Sequence, residues 1–133
     1  MPSEVRVPIA SLADIVAARQ QGRELAAQMG FSSFNLTLIA TAIAEVGRNI
    51  VDFAERGEMT ISMIKNGTRQ GVQIVATDRG PGIADISTAM RDGYSSANGL
   101  GIGLPGARRI MDEFEITSEV GKGTTVTMKK WEA

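Results

Sequence analysis

The sequence predicts an α/β (α+β sandwich) fold, a mixed β-sheet with helices packed on one face, as one domain over residues 1–133. Three observations predict it. Apolar residues recur at helical spacing between about residues 11 and 57. They alternate with period two around 59–76 and again after 115. Between these strand blocks lies a glycine-rich stretch, 78–106, with seven of the 15 glycines. Strand, two helices, two strands, loop and helix, two strands is an order that buries helices against one side of a sheet.

The elements follow in turn. Val5, Val7 and Ile9 alternate with Arg6 and Pro8, and Pro8 has no N–H, so this strand belongs at a sheet edge. Ser11 caps a helix reaching about Met29, with Leu12, Ile15, Val16, Leu25 and Met29 on its apolar side and Gly30 as its stop. A second helix starts near Asn35, carries Leu36, Ile39, Ala40, Ile43 and Ile50 on one face, and closes at Gly57. Met59, Ile61 and Met63 form a strand, Lys65-Asn66-Gly67 a turn, and Val72, Ile74 and Ala76 the next strand. A short helix is expected over Asp85–Arg91 and another over Leu104–Phe114, with Pro105 in its first turn. Glu115–Val120 and Thr124–Trp131 make a closing hairpin around Gly121-Lys122-Gly123.

Composition excludes several chemistries. The 133 residues include no His and no Cys, which rules out a Ser-His-Asp or Cys-His centre, a phosphohistidine and the usual zinc sites within this chain. A net charge of −1 gives no bulk attraction to nucleic acid or anionic membrane. The opening residues lack a basic n-region and an apolar h-region, and no apolar run is long enough for a spanning helix. The lack of a disulfide framework is compatible with a reducing cytosol without proving one, and the expected location is the cytoplasm.

Three features carry the chemistry. Glu45 and Asn49 share a helix face at spacing i, i+4, a pattern that also fits a solvated surface. Asp78 ends an apolar strand before Arg79-Gly80-Pro81-Gly82, where it also fits a simple turn-initiating residue. Gly99-Leu100-Gly101-Ile102-Gly103 precedes a helix, a setting in which backbone N–H groups approach phosphate; a ligand-free flexible lid is the alternative. Gly101-x-Gly103-x-x-Gly106 matches the dinucleotide fingerprint in letters only, because a long polar loop precedes it where a first strand is required. The Walker P-loop sequence and the motif set of eukaryotic-type kinases are both missing.

Taken in order, Glu45-x-x-x-Asn49, Asp78-x-Gly80-x-Gly82, Gly99-x-Gly101-x-Gly103 and Gly121-x-Gly123-Thr124 resemble the boxes of the GHKL (Bergerat-fold) ATPase/kinase superfamily over nearly the whole chain. Asp14–Gln20, Gly99–Gly106 and Met111–Phe114 are similar to its small stressosome switch serine/threonine kinases. The resemblance implies the GHKL fold and an ATP-dependent protein serine/threonine kinase using Mg²⁺. Asn49 would ligate the metal. Asp78 would accept the adenine amine, helped by Thr124 through water, with Gly80 in the same box and Gly82 allowing the base to approach. Gly99, Leu100, Gly101, Ile102 and Gly103 would cradle the phosphates under a lid spanning about Ile83–Asn98. Glu45 would be the catalytic base, or would orient a water. Arg108, Arg109 and Lys122 are the cations available to offset γ-phosphate charge, since Ala97-Asn98 stand where related kinases often carry an Arg. The implied partners are STAS-domain scaffold or antagonist proteins as substrates and a downstream phosphatase or other signalling enzyme, with no nucleic acid and no membrane. Two alternatives stay open: an anti-sigma factor kinase, and a non-catalytic ATP-gated protein-binding module.

Overall fold

In the computed structural model, which describes residues 4–83, 90 and 103–132, five strands form one sheet in the order β1-β2-β3-β5-β4. They are β1 (Glu4–Ile9), β2 (Gly57–Asn66), β3 (Arg69–Asp78), β4 (Glu113–Glu119) and β5 (Gly123–Trp131). All four ladders are antiparallel, a narrower arrangement than the mixed sheet expected. Among the described residues three helices accompany them: α1 (Leu12–Gln28), α2 (Ser33–Ala54) and α3 (Gly103–Ile110). The expected helix over Asp85–Arg91 lies outside the described residues, apart from Met90, which is buried.

Period-two patterning makes the sheet one-sided. Val7 and Ile9 of β1, Met59 and Ile61 of β2, Val72, Ile74 and Ala76 of β3, and Val126 and Met128 of β5 all turn into one core with α1 and α2. Ile9, Ile39, Ile43, Met59, Ile61, Ile74 and Met128 are fully buried, each contributing about 1.5–3 kcal/mol of hydrophobic stabilisation. Pro8 sits on the edge strand, where its missing N–H costs no ladder bond.

Local chemistry sets the helix ends. Ser11 Oγ accepts the Asp14 N–H at 3.3 Å, and the Asp14 carboxylate accepts the Ala10 N–H at 2.9 Å. Gly30, with φ 93°, follows the end of α1. The apolar side of α1 is narrower than its sequence suggests: Ile15, Leu25 and Met29 are buried, but Leu12 and Val16 are 66% and 49% exposed. Small residues replace them at the contact, where Gly22 packs on Ile43 and Gly47 on Ile15, so α1 and α2 approach closely.

Three boundaries differ from the sequence reading. Ser32, not Asn35, opens α2, its hydroxyl accepting the Asn35 N–H at 3.2 Å. Gly57 does not close that helix: Glu55 takes the positive φ of 70°, and Gly57 begins β2 opposite Asp78, where a side chain would meet the Thr77 carbonyl and Ile50. The last helix ends at Ile110 rather than Phe114. Lys130 Nζ donates to the Ile110 carbonyl at 2.9 Å, Asp112 N donates to the Lys129 carbonyl at 2.9 Å, and Phe114 and Ile116 then alternate as a strand. The β2–β3 hairpin turns on Gly67-Thr68, with Asn66 paired to Arg69 and Gly67 at φ 65°.

Candidate active site

The candidate residues fall in two groups: Asp78 and Thr124 at adjoining ends of β3 and β5, beside the end of α2, and Glu45 in the middle of α2 against the start of α3. Asp78 is the last residue of β3 and only 8% exposed. Its Oδ1 accepts two backbone N–H groups, from Gly80 at 2.9 Å and Thr124 at 3.3 Å. One oxygen is thus committed to fixing the carboxylate, which leaves Oδ2 as its further acceptor. The turn that follows is tied to the β4–β5 hairpin: Gly121 N donates to the Pro81 carbonyl at 2.8 Å, and Ile83 N donates to Ser118 Oγ at 2.7 Å.

Ser118 organises the remaining polar contacts. Its hydroxyl donates to the Gly123 carbonyl at 3.1 Å and lies 2.8 Å from Thr124 Oγ1. With the one Ser118 proton used on Gly123, the Thr124 hydroxyl donates to Ser118 Oγ and keeps its own lone pairs as acceptors. Thr124 is 6% exposed, so this acceptor is part of a buried network with Asp78. A groove of about 360 Å³ opens beside these residues, lined among others by Asp78, Ser118, Lys122 and Thr124.

The glycines here have packing reasons as well as any ligand reason. Gly82 has φ 78°, and a Cβ on it would run into the backbone of Glu119 and Val120, with Glu119 C at 2.8 Å. Gly80 stands against Ala54 at the end of α2, whose Cβ would be 2.5 Å from one on Gly80. The close approach at Gly82 is therefore to the β4–β5 turn.

On the helix side, Glu45 Oε1 accepts the Gly103 N–H at 2.8 Å. Gly103, with φ 67°, begins α3, so the carboxylate sits on the positive end of that helix. Glu45 and Asn49 are both half-buried and share this face of α2. Asp52, three residues on, shares it too, and its Oδ2 is buried without a hydrogen-bond partner. Gly99, Leu100, Gly101 and Ile102 lie outside the described residues, as does nearly all of the expected lid. Arg108 and Arg109 stand in the last turn of α3, the end away from Gly103, where cations complement the helix dipole. Lys122 pairs with Glu119 at 3.4 Å on the surface.

Of the residues the sequence singles out, the fold joins Asp78 with Gly80 and Thr124 and Glu45 with Gly103, sets Gly82 against the β4–β5 turn, and leaves Asn49 on the Glu45 face of α2. The sequence reading missed Ser118 and Asp52. Ser118 was legible as the cross-strand neighbour of Thr124, and Asp52 as the next step of the 45–49 helix face.

Comparison with known proteins agrees with this fold. Residues 9–130 match the histidine kinase-like ATPase domain family. The chain is 47% identical over 118 residues to the serine/threonine-protein kinase RsbT of Bacillus subtilis, covering 89% of each chain. It is 30% identical over 120 residues to the anti-sigma F factor of a Thermoanaerobacter species, covering 86% of this chain and 82% of that one. A crystal structure of the RsbU and RsbW domains of a Mycobacterium tuberculosis protein superposes with a TM-score of 0.68 at 21% identity, over 98% of this chain and 32% of that one, and supports the fold. The expectation of an ATP-dependent protein kinase is borne out by these findings. The chain belongs to the histidine kinase-like ATPase domain family, whose GHKL-type fold its five strands and three described helices adopt.

Proposed function

We propose that this protein is a switch kinase that uses Mg·ATP to phosphorylate serine or threonine on STAS-domain scaffold or antagonist proteins of a stressosome. Residues 1–133 act as one ATP-binding unit, and the setting is the cytoplasm. After phosphotransfer the kinase is released to bind and activate a downstream signalling enzyme such as a phosphatase. The contact between Glu45 and Gly103 carries the phosphotransfer reading, because it sets a carboxylate beside the glycine box and the N-terminus of α3. The 47% identity to RsbT favours the switch kinase over the anti-sigma factor reading, whose relatives are 30–33% identical.

The half-buried amide oxygen of Asn49, a hard donor on the face of α2 that carries Glu45, suits Mg²⁺. Mg·ATP, when bound, supplies the transferable γ-phosphoryl group. Asn49 would hold the ion through its amide oxygen. Asp78 would receive the adenine amine at Oδ2, and the Thr124 hydroxyl would accept from a water beside it. The first N–H groups of α3 would face phosphate oxygens. Glu45, steadied through Oε1, would take the substrate hydroxyl's proton at Oε2.

Incubation with radiolabelled ATP, Mg²⁺ and a STAS-domain protein, followed by phosphosite mapping, is expected to label one Ser or Thr of that partner. ATP binding without label on any STAS protein would make the ATP-gated binding module the better reading.

A further inference from the structure

Asp52 is assigned no step in the phosphotransfer above, yet its position is unusual. It follows Glu45 by seven residues and Asn49 by three, which puts the three side chains on one stripe of α2. The Glu45–Gly103 bond identifies that stripe as the one turned toward α3. Asp52 is partly buried, and its Oδ2 is fully buried with no hydrogen bond. None of the ion pairs among the described residues includes it. A buried carboxylate oxygen with neither a donor nor a cation is costly, and native proteins keep few of them. Glu132 Oε2, the other such oxygen among the described residues, lies next to Gly30 at the far end of α1 and has no Asn49-like neighbour to share a ligand with.

What Asp52 lacks is a cation, and what Asn49 lacks is charge. Mg²⁺ is a hard ion that keeps several waters and is usually held by one or two carboxylates together with substrate phosphates. A neutral amide alone is a weak protein contribution to such a site. A carboxylate one turn along the same helix supplies the missing anionic oxygen, either on the ion or on one of its waters, and the ion supplies the missing partner of Oδ2.

We infer that Asp52 is a second metal-binding residue, which with Asn49 holds the Mg²⁺ of the nucleotide complex. The inference rests on the Mg·ATP reading above and sharpens it: the helix contributes an Asn and an Asp, not the Asn alone.

Calorimetric ATP affinity measured in Mg²⁺ and again in EDTA tests it, with the parent protein, Asn49→Ala and Asp52→Asn compared. All three are expected to bind ATP alike in EDTA, since Asp78 and Thr124 are untouched. In Mg²⁺ the parent tightens, and Asp52→Asn loses about 10–100-fold of that gain, the range for removing a supporting metal partner. With Mn²⁺ in place of Mg²⁺, electron paramagnetic resonance titration of the nucleotide complex is expected to show the same loss as weaker Mn²⁺ retention. A full Mg²⁺ gain in Asp52→Asn, alongside a lost gain in Asn49→Ala, overturns the role of Asp52 and leaves the Mg·ATP reading standing. A parent that gains nothing from Mg²⁺ overturns both. If Asp52→Asn fails to fold, Asp52→Ser is measured in its place against the same two outcomes.

Discussion

Glu45 on α2 and Gly103 at the start of α3 are joined by a 2.8 Å hydrogen bond across 58 positions of sequence. The carboxylate occupies the end of α3 that attracts anions, and it does so with one oxygen only. The proposed function therefore gives Glu45 two separable jobs, holding α3 in place and accepting a proton.

Glu45→Gln separates them. The amide oxygen still accepts the Gly103 N–H, but the side chain no longer takes a proton. Thermal stability and ATP affinity are expected to stay near the parent values while phosphotransfer slows by about 10²–10⁴-fold. Glu45→Ala is expected to lose the same rate and, in addition, about 0.5–2 kcal/mol of stability, as when a helix cap is removed. Single-turnover phosphorylation beside calorimetric binding and denaturant melts distinguishes the two variants. A Glu45→Gln protein with the parent rate would falsify the base assignment.

The proposed role of Asp78 is nucleotide choice. A carboxylate receives the amine of adenine and repels the carbonyl that guanine carries at the same place, so ATP is expected to bind better than GTP. Asp78→Asn keeps an oxygen for the Gly80 and Thr124 N–H groups but presents a donor where Oδ2 stood. A charge-assisted bond contributes about 1.5–3 kcal/mol, which predicts an ATP affinity loss of about tenfold or more. Equal ATP and GTP affinities in the parent protein would remove Asp78 from the base-recognition role.

Ser118 is predicted to matter although it touches no reacting group. Ser118→Ala strips the acceptor from the Ile83 N–H and from the Thr124 hydroxyl together. The expected cost is about 1–3 kcal/mol in urea unfolding, with weaker ATP binding because the Thr124 hydroxyl is freed to rotate. Unchanged stability would mean that water replaces the serine at no cost.

Gly82→Ala is expected to destabilise by about 1–3 kcal/mol, since φ 78° strains any Cβ and the Glu119–Val120 backbone stands in its way. Serial urea midpoints for Gly82→Ala and the open, solvent-facing Gly121→Ala, which meets nothing within 4 Å, separate contact from backbone strain.

Much of the fold was written in local patterns. Ser11 and Gly30 bracket α1 as their side-chain chemistry requires, and the missing N–H of Pro8 put β1 at an edge. Residues whose role depends on a distant neighbour were harder to read. Gly57 resembles a helix stop by position, but the Thr77 carbonyl across the β2–β3 ladder is what demands a glycine there. Leu12 and Val16 have the right spacing for a core face, yet Gly22 and Gly47 move the actual contact to another side of α1. Met111–Phe114 continues a helical pattern until Lys130 and Asp112 pin the chain to β5. In the site, the resemblance of local boxes to GHKL motifs singled out Glu45, Asn49, Asp78 and Thr124. Ser118 is visible only once β4 is registered on β5.

The place of β5 between β3 and β4 has a consequence for how the protein comes into being on the ribosome. Of the five strands β5 is translated last, yet it is the shared neighbour of two strands made earlier. Until residues 123–131 have emerged, β4 has no ladder to join, and the Asp78 carboxylate lacks the Thr124 N–H that orients it. A nascent chain therefore closes the β3–β5–β4 side of its sheet and orients the Asp78 carboxylate in the same late step, whereas the β1–β2–β3 ladders need nothing beyond residue 78.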